Sequence, residues 1–350
     1  MPLISFLLPT FARNASGLLA AAIESVLAQT FSDFELLVVD DGSTDGSADT
    51  IAAFSARDSR VRGVRFDRNV GLPALTTARA FCEASGACIA WMFDDCVWDP
   101  ACLAALVDGL EAAPSAAIAY GRCRLGVDGP LIGAPLDPAR LAAGDNHIPN
   151  CATLIRREAY EAVGWPDPHI LLVRFSDWDF WNRAAQAGYG FAFVDRALAT
   201  ERGVGLPDSL GNTTGVNRDL MMRYSGMERA AALHPSRWPD WRPLAAPPGL
   251  LRTDEERAAY LAIALDHLAR AGRLEDFRAL AHDPELQPLG GLMEDPAKAF
   301  AWWGSRWRAE AADANARAAM LQGEVLRRQA YIDEQQAFID AQLANRERDG

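Results

Sequence analysis

Three short apolar runs, "ISFLLPT", "ELLVVDD" and "CIAWMFDD", each stop at a hydroxyl or a pair of carboxylates, and amphipathic helical stretches separate them. A strand without polar alternation must be covered on both faces. Strands that alternate with helices at this spacing form an open, mostly parallel sheet flanked by helices, an α/β fold. Such sheets bind ligands beyond the carboxyl ends of their strands. Thr10, Asp40, Asp41, Asp94 and Asp95 are therefore expected on one edge.

The rest of the chain extends the pattern. "RVRGVRF" is a further predicted strand, and helices are predicted over residues 20 to 27, 47 to 54, 74 to 84 and 100 to 111. "AAIAYGRCRLG" reads as a strand pair, and "DNHIPNCATLIRREAYEAVG" as strand, turn and helix. "FSDWDFWNRAAQAGYGFAFVD" reads as an acidic helix start followed by a strand. The glycine-rich "ERGVGLPDSLGNTTGVN" reads as a loop, and from about Met221 helices take over around a proline-rich linker. These breaks predict a domain over 1–225, in two halves, 1–100 and 101–225. A helical region over 226–304 and a long helix over 305–350 follow. In the last segment Val325, Ile332 and Ile339 recur every seven residues, with Gln322, Gln329, Gln336 and Leu343 at the other seam. That is a short heptad pattern, suited to a homodimer or a partner helix; an amphipathic helix lying on its own domain fits it as well.

At 350 residues the chain can bury a full core, and its formal net charge of -13 argues against a nucleic-acid partner. An anionic substrate would need a local cation, a helix N-terminus or arginines. Cys82, Cys88, Cys96, Cys102, Cys123 and Cys151 include no CxxC pair, and no basic leader precedes the first strand, so reduced thiols and a cytoplasmic location are expected. No apolar stretch is long enough to span a bilayer; "FAWWGSRWRAE" allows peripheral contact at the inner face of a membrane, and helix packing also explains it.

Three acidic motifs carry chemistry. "VVDDGSTDGS" is turn and cap chemistry on one reading, with Asp45 and Ser47 as caps; on another it accepts from a base N–H or a ribose hydroxyl, with Phe11 stacking on the base. Adjacent Asp94 and Asp95 either face water or bring a divalent cation to a diphosphate. Asp177 and Asp179 in "RFSDWDFWNR" cap a helix or supply a general base, and Trp178 and Trp181 offer faces to a sugar ring or to the core. His147 and His169 read as surface or hydrogen-bonded residues rather than ligands.

In this serial order, "QTFSDFELLVVDDGSTDGS", "NVG", "GACIAWMFDDCVWDP", "IRREAYEAVGWPD" and "SDWDFWNR" resemble the family 2 glycosyltransferases with the GT-A fold, over about residues 1–220. The resemblance implies that Pro9, Phe11 and Asp41 hold the nucleoside and that Asn69 and Gly71 form the loop closing on the nucleotide. The family's Asp-x-Asp falls on Phe93, Asp94 and Asp95 and loses its first carboxylate. Asp95 is then the ligand of a divalent cation, Mn²⁺ or Mg²⁺, and Asp94 faces the ribose or phosphate. Where the family reads Glu-Asp-x-Asp, Ser176 replaces the Glu. Asp177 is then the catalytic base, with Asp179 and Trp178 on the acceptor side. The implied reaction is an inverting transfer from a nucleoside-diphosphate sugar, UDP or dTDP favoured, to a hydroxyl of a glycan, lipid-linked glycan or protein, as in polysaccharide biosynthesis. Two alternatives compete. One is a degenerate glycosyltransferase that binds nucleotide or glycan and assembles through its C-terminal helix; the other is a nucleotidyltransferase, which "PTFARNASG" matches poorly because it lacks a basic glycine-rich loop.

Overall fold

The computed structural model describes residues 3–203 and 217–287, all within one compact unit. Residues 305–350, and with them the heptad pattern, lie outside the described residues, as do positions 204–216 of the glycine-rich segment.

The N-terminal half is built as its apolar runs require. β1 (Ile4–Thr10) is buried at every position and lies between β2 (Phe34–Asp40) and β4 (Cys88–Trp91), parallel to both; β3 (Val61–Arg65) is the parallel edge beyond β2. The crossovers carry α1 (Leu18–Leu27), α2 (Ser47–Arg57) and α3 (Pro73–Glu83), whose proline opens the first turn, where its missing N–H costs nothing. Under the sheet Phe6 meets Trp98 edge-on, ring centroids 4.5 Å apart, within a core that includes Leu8, Leu36, Val38 and Ile23.

The second half departs from the mostly parallel expectation. Among the described residues the strand order is β3-β2-β1-β4-β8-β6-β9-β5, with β7 (Leu131–Ile132) pairing beside β6. β8 (Thr153–Arg156) runs antiparallel to both β4 and β6 (Ala116–Leu125), β9 (Gly190–Glu201) is parallel to β6, and β5 (Cys96–Trp98) is antiparallel to β9. The sheet is thus mixed. "AAIAYGRCRLG" is one long strand and not a pair: Gly121 makes no turn, but gives room to Leu198 of β9, whose Cδ1 would lie 2.4 Å from a Cβ there.

Helices α4 (Cys102–Ala112), α5 (Pro138–Ala142), α6 (Arg157–Val163) and α7 (Ser176–Gln186) flank this half. α8 (Arg218–Ser225) and the 17-residue α9 (Asp254–Arg270) follow, α9 opening on the Thr253 hydroxyl, which accepts from the Glu256 N–H. Among the described residues no helix is long and apolar enough to cross a membrane.

Candidate active site at the carboxyl edge of the sheet

The strand order 3-2-1-4 places a switch point between β1 and β4, where open α/β sheets bind ligands. Pro9 creates the crevice. Leu7 accepts the Met92 N–H on the β4 side, so two residues on the Pro9 nitrogen faces that side too, and having no hydrogen it cannot extend the ladder. β1 and β4 separate there. Pro9 itself is buried, so its contribution is to open the edge. The chain then turns through Ala12, the only non-glycine with positive φ (54°) among the described residues, whose N–H donates to Ser43 Oγ at 3.0 Å. Holding alanine there costs about 1 kcal/mol, and the turn leaves Phe11 exposed.

The two carboxylates after β2 differ. Asp40 is consumed by the fold, accepting from the Ser43 N–H and pairing with Arg65. Asp41 accepts from the N–H groups of Val70 (2.9 Å) and Gly71 (2.8 Å), and Gly71 N–H is shared with Asn69 Oδ1. Burial raises the Asp41 carboxyl to about 6 against the pull of those N–H groups. Gly42, at φ 73°, lets the loop come this near: a Cβ there would lie 2.6 Å from the Arg68 carbonyl carbon. Asp45 accepts from both the N–H and the hydroxyl of Ser47, but the N-cap of α2 is Gly46, without a side-chain cap bond, so the expected capping by Asp45 and Ser47 is replaced by a local bond between them.

Asp94 fills the crevice, 8% exposed, accepting from the Phe11 N–H at 3.2 Å, with Arg13 Nε 3.8 Å away. Burial pushes its carboxyl up to about 7, and neighbouring Asp95 pushes the same way. Asp95 is half-buried beneath the end of β9: its carbonyl accepts from Arg202 N–H, and Gly203 passes so close that a Cβ would sit 2.1 Å from Asp95 Oδ2. Glu201, two residues back, is raised by burial and by the Asp95 charge.

Asp177 is held by a residue from another part of the chain: Asn146, in the segment between α5 and β8, donates its Nδ2–H to Asp177 Oδ2 at 3.0 Å. Asp177 is half-buried in the first turn of α7, and desolvation raises its carboxyl above the usual aspartate range.

The other two residues assigned to the acceptor side face the wrong way for contact. Trp178 is fully buried, with its Nε1–H donating to the Leu141 carbonyl, and Trp181 is 1% exposed, so neither presents a face to a sugar. Asp179 is likewise fully buried: Oδ2 accepts from Arg183, Oδ1 from Ser225 and Arg229, and Arg229 also pairs with Asp167. Burial alone would raise the Asp179 carboxyl, but the two guanidiniums outweigh it and hold it low. The network fixes α7 and therefore Asp177. His147 accepts from the Asp137 N–H, and His169 contacts the Ala245 carbonyl and Tyr260, both as hydrogen-bonded residues.

Residue-type patterns alone missed Asn146, Ser43 and Arg13. Arg13 had a signal, a cation three residues beyond a strand end in an acidic chain; Asn146 had none, because its partner lies 31 residues away.

A parallel-strand edge lined by carboxylates, with an exposed aromatic and a loop clasped over it, is the place where open α/β sheets bind ligands. Residues 5–164 of the chain match the family model described as glycosyl transferase family 2. It is 33% identical over 215 residues to the uncharacterized protein y4gI of Sinorhizobium fredii, covering 54% of this chain and 23% of that protein. It is 37% identical over 97 residues to the Escherichia coli UDP-Glc:alpha-D-GlcNAc-diphosphoundecaprenol beta-1,3-glucosyltransferase WfgD, covering 27% of this chain and 36% of the enzyme. The chain thus spans about a quarter to a third of the length of these relatives. Among solved structures, S. aureus TarS 1-349 in complex with UDP superposes with a TM-score of 0.48 at 16% identity, covering 88% of this chain and 91% of that one.

Proposed function

We propose that this protein is an inverting glycosyltransferase that moves a sugar from a nucleoside diphosphate, uridine or thymidine favoured, to a hydroxyl of a glycan, lipid-linked glycan or protein. One observation carries the reading: the buried carboxylates Asp41 and Asp94 follow β2 and β4, the strands on either side of β1, with their proton affinity raised by burial, and the exposed Phe11 ring follows β1 itself.

Each residue has a share. Phe11 offers its exposed ring to the base, and Asp41, with oxygen lone pairs left beyond its two loop bonds, accepts from a pyrimidine N–H. Asp94, between the Phe11 N–H and Arg13, faces the ribose or phosphate, and Arg13 supplies positive charge that a chain of net charge -13 needs locally. Asp177 takes the acceptor's hydroxyl proton as that oxygen bonds to the anomeric carbon, the bond from that carbon to the diphosphate oxygen breaks, and the nucleoside diphosphate leaves with the electron pair. The single displacement inverts the anomeric centre. A positioned base contributes ~10²–10⁴-fold.

A divalent cation fits the donor set. No cluster of three or more His, Cys, Asp or Glu able to hold a metal occurs among the described residues. Mg²⁺ and Mn²⁺ commonly need only one or two carboxylates when phosphate oxygens complete the shell. Asp95 would hold it, with Glu201 beside it, and when bound it would neutralise charge on the departing diphosphate.

The test is a calorimetric screen of nucleoside diphosphates with Mn²⁺ or chelator, followed by product analysis with a labelled sugar nucleotide. Release of nucleoside diphosphate with glycosylated acceptor is the expected result; pyrophosphate release, or binding without turnover, would replace this function with one of its rivals.

A further inference from the structure

The family match ends at residue 164, yet the loop that closes on Asp41 is held from outside it. On the side of the loop away from Asp41 stands the last turn of α9. His267 Nε2 lies 3.0 Å from the Val70 carbonyl oxygen, while the Val70 N–H, on the other side of the same residue, donates to Asp41. A carbonyl only accepts, so Nε2 carries the hydrogen and donates. Gly71 completes the contact: it needs its positive φ of 65°, and a Cβ there would lie 3.0 Å from His267 Cε1 and 3.7 Å from Ala271 Cβ. Beyond the helix, Asp276 lies 3.5 Å from Arg68 at the start of the loop and also pairs with Arg273. The loop is therefore gripped between a carboxylate of the sheet edge and a helix end almost 200 residues away in sequence.

We propose that His267 is a positioning residue for nucleotide binding: its Nε2–H, fixed on the Val70 carbonyl, orients the Val70 peptide so that the N–H groups of Val70 and Gly71 meet Asp41. This rests on the reading of the edge as a nucleotide site. Two facts favour positioning over general packing. The imidazole is 6% exposed and spends its one N–H on this loop. It also stays neutral, because burial lowers it to about 4, as suits a fixed donor rather than a group that titrates near neutrality. With Arg273 the same helix end brings a positive charge whose field reaches both His267 and Asp41. The segment carrying these groups thereby backs the loop that meets Asp41.

The experiment compares wild type, His267→Ala and His267→Gln in the full chain, the glutamine amide supplying an N–H donor of similar reach. Two measurements are made: calorimetric affinity for UDP, dTDP and GDP with Mn²⁺, and hydrogen exchange of the Val70 and Gly71 amides. Expected is a ~10-fold loss of affinity and faster exchange at those two amides in His267→Ala, with His267→Gln within ~3-fold of wild type in both. Unchanged loop exchange in His267→Ala would overturn the inference, as would equal losses in both variants with exchange rising across the whole domain. Wild type binding none of the three nucleotides would instead undo the functional reading, and the exchange comparison would still decide the role of His267.

Discussion

Asp177 and Asp179 stand two residues apart on the first turn of α7, yet their surroundings are opposite. Asp179 points into the molecule, saturated by Arg183, Ser225 and Arg229, and is held below the usual carboxylate range. Asp177 has the Asn146 amide as its side-chain donor and is raised above that range. Both are desolvated. What separates them is compensation: a buried charge ringed by cations is structural, whereas one left under-compensated gains affinity for a proton. Asp40 and Asp41 differ in partners as well, the first paired with Arg65 and the second hydrogen-bonded by the neutral N–H groups of Val70 and Gly71.

The sharpest break of this comparison is Asp177→Asn. Transfer should fall by ~10²–10⁴-fold while nucleotide affinity stays at the wild-type value and the melting temperature does not fall. Initial rates with a labelled donor measure it, and activity within about tenfold of wild type would remove Asp177 as the base. Asp179→Ala should do the reverse. Leaving Arg183 buried without its carboxylate, and Arg229 with Asp167 alone, costs about 3–5 kcal/mol of stability, read from a urea midpoint, and any activity loss should track the unfolded fraction.

Gly42→Ala probes the second carboxylate pair. A methyl forced against the Arg68–Asn69 backbone at positive φ should cost about 1–3 kcal/mol and weaken nucleotide binding through the displaced loop. A thermal melt and a binding isotherm test both halves, and wild-type behaviour in each would mean that the loop does not need its present approach to Asp41.

The smallest effect concerns pH. Asp94 keeps its proton to about 7 in the folded protein, whereas the unfolded chain releases it near 3.8. Between those values the folded state binds the extra proton, so its stability falls as pH rises through the window and the loss is complete above it. Asp41, raised to about 6, adds a slope of the same sign. Asp94→Asn keeps an oxygen for the Phe11 N–H and should melt ~2–4 °C above wild type at pH 8 but not at pH 4. Equal melting temperatures at pH 8 would show that Asp94 is not strained in its charged form.

Much of the edge was legible in the linear pattern because it depends on local facts. A continuous apolar run must be a doubly covered strand, and the polar residue after it must emerge at the strand's end, so Thr10, Asp41, Asp94 and Asp95 could be placed together before any packing was known. Other features were hidden for identifiable reasons. Gly121 in β6 carries the mark of a turn residue, and only the presence of Leu198 across the sheet makes it a strand position. Trp178 and Trp181 are as suited to a sugar as to a core, and α7 happens to turn both inward.

Side-chain order along the chain determined the parallel half of the sheet, the edge on which chemistry gathers and the candidate carboxylates, since those follow from periodicity and from where apolar runs stop. Only the tertiary structure decided which of those carboxylates remain chemically available. Arg229 meets Asp179 across 50 residues and His267 meets Val70 across 197, and it is such long-range neighbours that set the dielectric and the charge around each group.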